Sequence, residues 1–423
     1  MMLVAFLTFM VLLFAGVPIA FSMGLGSLLG LLVSHNSLMV VGQRLFAGVN
    51  SFSLMAIPFF MLSGELMDKG GISRRLVSFA QALVGHITGG LGMVDILTSV
   101  IFAGISGSAA ADTAAVGSIL IPPMKERGYP KGLAAVIQAT AGSLGPIIPP
   151  SLTMIIYCSL TNLSISELFM AGVIPGLLIG VGTMFVTYLY AKKLGIKGEK
   201  RATMKEVLKA TKDAILAIIM PIIIIGGIVG GIFTATEAGA IAVFYALIIG
   251  LFVFKEFTVK DLPAILLGAA GTSSMALLIV ASANVFSWLV AYVKLPAVIV
   301  NFLVSLTSSK YIILILLVIF LLFVGMFIET LSATIICAPI LMPVAAQFGI
   351  DPIQFALIMV VTLVYAGVTP PVGGVLFITM GVAEAKLKDT LRYLPAYLGL
   401  VCLVLLILIF IPGASTLLPS LLF

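Results

Sequence analysis

Long apolar stretches recur along the whole 423-residue chain, and their length limits what the chain can fold into. Each has about 17 to 30 residues, long enough to cross a bilayer of roughly 30 Å at 1.5 Å per residue. Only 9% of the residues are charged, whereas a soluble domain carries about a quarter. The short alternating segments of a strand barrel are absent from the sequence. We therefore expect an all-α polytopic membrane protein.

The distribution of basic residues indicates topology rather than nucleic-acid binding, although the net charge is +6. The loops that hold 19 of the 22 Lys and Arg residues are 68–77, 125–131, 192–212, 255–261 and 386–392. The positive-inside rule makes that face cytoplasmic, so the bilayer is the expected partner and nucleic acid is not. Three cysteines and two histidines give no disulfide framework and no metal spacing. Without a Gly-Lys dipeptide there is no P-loop, so the energy for any transport would have to come from an ion gradient or another subunit.

Two apolar runs, 90–124 and 311–347, are too long for one membrane span and too short for two. Each has small or polar residues at its centre, GISGSAAADTAA (104–115) in the first and GMFIETLSAT (325–334) in the second. A helical hairpin that enters and leaves the membrane on one face fits both runs. The sequence therefore predicts two re-entrant hairpins.

Two further apolar runs, 132–160 and 353–383, contain Gly and Pro near their middle. The first carries GSLGPIIPPS (142–151), and the second carries AGVTPPVGG (366–374). Such residues interrupt a helix, and non-helical backbone at membrane depth survives only where protein buries it or a polar cavity borders it. One break can be a simple kink, but two matched breaks beside polar tips favour a binding site. We expect two broken transmembrane helices.

The two halves of the chain repeat the same order of elements. A shift of 221 residues places Gly104 on Gly325, Pro122 on Pro343, and Pro149-Pro150 on Pro370-Pro371. This predicts a first repeat at 1–191, a basic cytoplasmic linker at 192–213 and a second repeat at 214–423. With the basic loops inside, the first hairpin opens to the cytoplasm and the second to the outside, so the repeats are inverted. The pattern of 195–214 also predicts an amphipathic helix on the membrane surface.

Polar groups at the tips and breaks are the candidate ligands. The breaks free carbonyl oxygens, and Ser143 and Ser151 add hydroxyls, a set of neutral oxygens that suits a small cation such as sodium. The half-helix that follows a break can direct free N–H groups at an anion. Asp112 and Glu329 are intramembrane carboxylates, which are costly and often functional. Ion contact and helix capping remain equally open for both.

Three segments resemble a known family: GISGSAAADTAAVGSILIPPM (104–124), GSLGPIIPPS (142–151) and AGVTPPVGG (366–374). They are similar to the large membrane subunit of TRAP (tripartite ATP-independent periplasmic) transporters, the DctM-like family, and the likeness covers essentially the whole chain. Within the family, the chain is most similar to the sialic-acid-specific SiaM type. The resemblance implies sodium-coupled import of an organic acid, best sialic acid, across the bacterial inner membrane. It also implies two partners, a small four-helix membrane subunit and a periplasmic substrate-binding protein.

The resemblance further implies two sodium sites and a substrate site. The first sodium site would comprise Ser106, Ser108, Gly142, Ser143 and Gly145. The second would comprise Gly325, Glu329, Gly367 and Thr369. The substrate would contact Ser106, Asp112, Ser151, Thr330 and Ser332 between the hairpins.

The resemblance also implies membership of a larger ion-transporter superfamily with elevator motion, which would give the predicted segments distinct roles. Segments 90–160 and 311–383 would form the moving body, and 74–88 and 295–309 would be arm helices. The remaining spans, among them 165–191 and 394–412, would form the scaffold.

Three other functions stay open at this point. One is a C4-dicarboxylate carrier of the same architecture. The second is a membrane-embedded enzyme that uses Asp112 and Glu329 as an acid/base pair. The third, a passive channel, would conduct continuously in a planar bilayer.

Overall fold

A computed structural model describes residues 1–34 and 36–423, and within them every regular element is a helix. The helices of the first half are Met2–Phe14 (α1), Ile19–Val33 (α2), Met39–Val49 (α3), Ala56–Lys69 (α4), Ile72–Val84 (α5), Gly90–Ser106 (α6), Ala109–Glu126 (α7), Lys131–Gly142 (α8), Leu152–Thr161 (α9) and Ile165–Leu194 (α10). Those of the second half are Met204–Val229 (α11), Ala235–Ile248 (α12), Leu262–Tyr292 (α13), Leu295–Leu306 (α14), Lys310–Gly325 (α15), Thr330–Gln347 (α16), Pro352–Ala366 (α17), Gly374–Ala383 (α18), Leu387–Thr390 (α19), Leu394–Phe410 (α20) and Gly413–Leu422 (α21).

The helices have the length and composition of a multi-pass membrane protein. In the described part of the chain, five helices are long and apolar enough to cross a bilayer, or up to seven if each of two bent pairs is one span. The bends lie between α3 and the 52–69 segment (60°) and between α20 and α21 (61°). The sequence did not predict either bend. Pro412 explains the second, since it lacks an N–H donor at the point where α20 ends.

Each predicted hairpin and broken helix consists of two helices with a short interruption. The run 90–124 forms α6 and α7, and 311–347 forms α15 and α16. The run 132–160 forms α8 and α9, and 353–383 forms α17 and α18. The dipeptides Pro149-Pro150 and Pro370-Pro371 lie within the breaks. Local composition therefore located all four interruptions.

The four segments pack in a reciprocal arrangement. Helix α7 packs against α8, and α16 against α17. In addition, α9 packs against α16 of the other hairpin, and α18 packs against α7. A hydrogen bond of 3.1 Å from the Tyr365 hydroxyl to the Thr140 carbonyl joins α17 to α8. Each half of the chain thus supplies walls to the tip of the other half.

The remaining helices divide into two groups by their main contacts. Helices α1–α4 and α11–α13 pack on one another, and we call this group the scaffold. Helix α5 lies between α6 and α11, and α14 lies between α13 and α16, so each contacts both groups. However, α10 and α20 pack mainly on each other and on α6, α17 and α21. The sequence-based assignment of these two spans to the scaffold was wrong, because they belong to the hairpin group.

The predicted surface helix at 195–214 is helical only from Met204 onward. Residues 196–203 are not helical, and α11 begins at Met204 and continues without interruption to Val229. Thr203 and Glu206 form a capping box that starts this helix. The polar residues after Met204 are therefore the first turns of a membrane span.

A small ion-pair cluster on the Lys/Arg-rich face joins the two repeats. Glu384 Oε2, just after α18, lies 3.5 Å from Lys125 Nζ on α7 and 3.4 Å from Lys131 Nζ on α8. The Lys131 hydrogen bond and the two positive charges hold the pKa of Glu384 below its usual range. Because the lowered pKa belongs to the folded state, the cluster stabilises the fold above the ordinary Glu pKa of about 4.3 and ceases to do so as pH falls through the lowered value.

We expect Glu384→Gln to lower the thermal midpoint only slightly at low ionic strength, because exposed ion pairs contribute little. The difference from the unmodified protein should vanish in high salt, which screens exposed charges. It should also vanish in acid, once Glu384 is protonated in both states. Thermal melts of Glu384→Gln beside Glu126→Gln, a change of another exposed carboxylate nearby, measure this. Equal midpoints for the two variants at low salt and neutral pH would contradict it.

Candidate functional site

The first hairpin turns through a glycine and is tied by a carboxylate. Helix α6 ends at Ser106, Gly107 adopts φ +64°, and Ser108 caps α7. Asp112, one turn into α7, accepts a hydrogen bond at Oδ1 from the Ser106 hydroxyl. The Leu152 N–H donates to the Gly107 carbonyl at 3.4 Å, so the tip lies directly on the start of α9. The turn and the first break thus form one unit.

Two glycines let the break approach the first hairpin closely. A Cβ atom on Gly145 would overlap Asp112 Oδ2, and one on Gly142 would overlap Thr113 Oγ1. Asp112 and Thr113 are fully buried, and these two oxygens have no hydrogen-bond partner within the described residues. Buried polar groups are normally satisfied, so two unpartnered oxygens beside a break indicate a place for an ion or water.

Several other polar groups in the break are already used. The Ser143 hydroxyl donates to the Ala139 carbonyl at 2.7 Å. The Ser151 hydroxyl donates to the Pro146 carbonyl at 2.6 Å and accepts from the Met154 N–H at 3.2 Å. The predicted hydroxyls of Ser143 and Ser151 therefore hold the broken backbone, which leaves carbonyls as the other oxygens that can bind a cation.

Sequence reasoning missed Gln138 on α8. Its side-chain N–H donates to the Asp112 carbonyl at 3.3 Å, and its buried Oε1 has no partner in the described chain. Gln138 thereby fixes the first turn of α7 beside the break. A single amide in the apolar segment KGLAAVIQATAG was the available signal.

The second tip is built differently, around Glu329. Its Oε2 accepts hydrogen bonds from the N–H groups of Leu331 (3.0 Å) and Ser332 (3.2 Å), so it caps α16. The Thr330 hydroxyl donates to the Leu363 carbonyl at 3.4 Å, and Gly367 lies beside it. Glu329 thus has the cap role that the sequence left open, with its side chain exposed to a cavity.

Gly325 and Thr369 complete the second break. A Cβ on Gly325 would lie 2.5 Å from the Ala366 Cβ, so close packing of α15 on α17 requires glycine there. The Thr369 hydroxyl donates to the Tyr365 carbonyl at 2.8 Å. The predicted second set therefore surrounds one break, although the Thr369 hydroxyl is engaged with the backbone.

A chamber of about 400 Å³ lies between the two tips and the two breaks. The first turns of α7, α9, α16 and α18 all line it, so four helix N-termini converge. First-turn N–H groups lack intrahelical partners and carry the positive end of the helix dipole. Within the described residues no Lys, Arg or His lines the chamber, and Glu329 does. It therefore offers backbone donors to an anion without any cationic side chain.

A larger cavity of about 1470 Å³ separates the scaffold from the tips. Ser106, Ser108, Glu329 and Ser332 line it at the tips. Lys69, Arg74 and Glu256 also line it, and they belong to the Lys/Arg-rich face. The tips are therefore reached from the face that the positive-inside rule makes cytoplasmic.

The predicted substrate contacts fall into different places. Ser106 and Ser332 line the larger cavity, and Thr330 lines the chamber. Asp112 and Ser151 line neither, because Asp112 lies toward the first break and Ser151 within it. The described residues contain no group of three or more His, Cys, Asp or Glu that could hold a metal ion.

The chain is similar to transporter permeases over almost its full length. The family model described as "Tripartite ATP-independent periplasmic transporter, DctM component" matches residues 6–414. The 2,3-diketo-L-gulonate large permease YiaN of Escherichia coli is 40% identical over 94% of both chains. The C4-dicarboxylate large permease DctM of Pseudomonas aeruginosa is also 40% identical over 94% of both. The sialic acid large permease SiaM of Vibrio cholerae is 37% identical over 97% of this chain and 96% of its own.

A solved structure has a related fold. The Alcanivorax borkumensis YdaH transporter is 15% identical, with a TM-score of 0.53, over 89% of this chain and 86% of its own. The named relatives are permeases, which indicates transport rather than catalysis by Asp112 and Glu329. This chain belongs to the DctM family, the large permease components of tripartite ATP-independent periplasmic transporters.

Proposed function

We propose that this permease imports an organic acid together with sodium ions across the bacterial inner membrane. One observation carries the proposal: four helix N-termini meet at a chamber next to the unpartnered oxygens of Asp112 and Thr113. The N-termini suit a carboxylate, and the oxygens suit a cation. Both kinds of ligand would then bind in one unit of the fold.

The charge of the chamber supports coupling between the two ligands. Glu329 already places one carboxylate at the N-terminus of α16. An anion brought into a site without Lys, Arg or His meets repulsion from Glu329 unless a cation enters as well. Sodium bound near the breaks would supply that charge.

One proposed sodium site would lie at each of the two breaks. The first uses Ser106, Ser108, Gly142, Ser143 and Gly145, with Asp112 and Thr113 added on the geometry. The second uses Gly325, Glu329, Gly367 and Thr369. In both, carbonyl oxygens freed by the break complete the ligand set, as hard cations prefer.

The substrate would be a sugar acid with one carboxylate, for which sialic acid is our candidate. Dicarboxylates are the alternative, and several C4-dicarboxylate permeases are among the relatives. A second carboxylate would need a further positive partner in a chamber that holds Glu329 and no cationic side chain. The single-carboxylate class therefore fits the charge better.

The motion we propose is that of an elevator. The hairpin group would slide against the scaffold, with α5 and α14 as arms and with the two repeats in inverted orientation. The cavity of about 1470 Å³ toward the basic face then corresponds to an inward-facing position. A small four-helix membrane subunit would anchor the scaffold, and a periplasmic binding protein would deliver the substrate.

Sodium coupling is tested in proteoliposomes that contain the assembled transporter and its binding protein. Uptake of radiolabelled sialic acid should require an inward sodium gradient and should cease when potassium replaces sodium. Reversal of the gradient should release accumulated substrate. Uptake indifferent to sodium would overturn the coupling, and steady ion conductance in a planar bilayer would indicate a channel instead.

The substrate class is tested separately by competition. The binding of radiolabelled sialic acid to the partner binding protein is measured. Excess unlabelled sialic acid, 2,3-diketo-L-gulonate or succinate is then added as the competitor. We expect the sugar acids to compete and succinate to have no effect. Preferential competition by succinate would replace our candidate with a C4-dicarboxylate.

A further inference from the structure

A second buried polar cluster lies away from the tips, on the opposite part of α6. Asp95 is 0% exposed, and neither of its carboxylate oxygens has a hydrogen-bond partner within the described residues. The hydroxyls of Thr98, Ser99 and Thr183 are also buried and unpartnered there. Such groups are rare in folded proteins, and an intramembrane carboxylate is costly to bury.

The packing of α6 on α10 sets the register of this cluster. A Cβ on Gly92 would lie 2.8 Å from the Thr187 Cγ2, and a Cβ on Gly180 would lie 3.0 Å from the Val100 Cγ2. Residue numbers rise along α6 as they fall along α10, so the two helices are antiparallel and in close contact. The position of every residue between these two contacts is therefore defined along the axes of α6 and α10.

That register places three unpartnered side chains together. Ser99 follows Asp95 by four residues and lies on the same face of α6. On α10, Thr183 lies one turn before Thr187, at a height between Asp95 and Ser99. One carboxylate and two hydroxyls therefore converge in the α6–α10 interface.

Two tyrosine hydroxyls lie next to the cluster, but within the described residues neither donates a hydrogen bond to Asp95. Tyr129 and Tyr397 lie near Asp95. The Tyr129 hydroxyl accepts from the Gly92 N–H at 3.1 Å, and the Tyr397 hydroxyl is hydrogen-bonded to Thr187 at 2.9 Å. Lys, Arg and His are absent from the buried side chains of the described residues. Among the described residues, the carboxylate thus has no cationic partner.

We propose that Asp95, Ser99 and Thr183 bind a sodium ion at a site separate from those at the breaks. A carboxylate and neutral hydroxyl oxygens are ligands that a hard cation prefers, and a bound cation neutralises the buried charge. Ser106 lies eleven residues after Asp95 on the same helix, about 16 Å away at 1.5 Å per residue. The site goes beyond the proposed function, since it would bind its ion whichever gradient drives uptake.

Equilibrium binding of ²²Na⁺ to the purified, assembled transporter tests the site directly. Asp95→Asn should bind one sodium ion fewer per large subunit than the unmodified protein. Asp112→Asn should retain the ion that Asp95 binds. If Asp95→Asn binds as many ions as the unmodified protein, the proposal is overturned. The assay measures binding and not uptake. It can therefore exclude this sodium site while sodium-driven uptake persists, or detect the site when uptake proves independent of sodium.

Two milder variants test the same site in case Asp95→Asn does not fold. Thr183→Val and Ser99→Ala each remove one neutral oxygen and should weaken this sodium site about tenfold, the size of one polar contact to a charge. Thr362→Val is the control, because that buried hydroxyl donates to its own helix at Ile358 and lies outside the cluster. Sodium affinity in Thr183→Val equal to that in Thr362→Val would also overturn the site.

Discussion

Gly107→Ala is expected to abolish most uptake and to lower the thermal midpoint of the purified transporter. Gly107 adopts φ +64°, where an L-residue costs about 1–2 kcal/mol. A Cβ there would also lie 2.5 Å from the Pro150 carbonyl oxygen and 3.2 Å from the Leu152 nitrogen. Both are backbone atoms that cannot rotate away, so overpacking adds about 1–3 kcal/mol. The tip would separate from the break, and the chamber between them would lose its shape.

Gly128→Ala is the matched control for this substitution. Gly128 has φ +86°, in the same left-handed region, but a Cβ there would meet nothing within 4 Å. It should therefore show only the backbone cost of about 1–2 kcal/mol and retain uptake. Thermal melts and proteoliposome uptake of the two variants separate backbone strain from contact with the break. Similar behaviour of the two variants would show that the tip does not depend on this contact.

Asp112→Asn is expected to raise the half-saturating sodium concentration for uptake roughly a hundredfold or more. The substitution keeps the shape and an oxygen that can accept from Ser106, so the tip should stay in place. It removes a negative charge, and a cation about 4 Å from a carboxylate gains about 4 kcal/mol at an effective dielectric of 20. The thermal midpoint in sodium-free buffer should not fall, because an unpaired buried charge has been removed.

Initial rates of uptake, measured over a range of sodium concentrations, give the half-saturating sodium concentration. Asp213→Asn, which changes an exposed carboxylate on α11, serves as the control and should leave the titration unchanged. An unaltered sodium dependence in Asp112→Asn would exclude Asp112 from the cation site. Gly107→Ala, by contrast, should reduce the maximal rate, because it disrupts the pocket rather than one ligand.

Local composition was sufficient to locate the interruptions in the two hairpins and the two broken helices, although not the two bends. The runs around Gly107, Pro150 and Pro371 combine residues that cannot continue a helix, and such effects act within a few residues. The tip residues Ser108 and Glu329 are likewise marked by their polarity in apolar surroundings. Both are helix caps in the structure, a role that depends only on the adjacent turn.

Long-range packing could not be predicted in the same way. Helices α10 and α20 expose apolar residues such as Phe185 and Leu403, as any lipid-facing span does, whichever group of helices they join. Their place in the hairpin group depends on contacts between residues some 210 positions apart, such as Thr187 with Tyr397. The orientation of Asp112 toward the break has the same kind of cause, because it depends on Gly145, which lies between α8 and α9.

The reciprocal packing of α9 on α16 and of α18 on α7 has a consequence for biosynthesis. Since Gly374 and Val375 supply one wall of the chamber, a ribosome must translate at least as far as Val375 before every wall exists. A nascent polypeptide that has inserted only its earlier half can hold no complete cargo pocket. Membrane insertion must therefore reach α18 before the permease first becomes competent to bind.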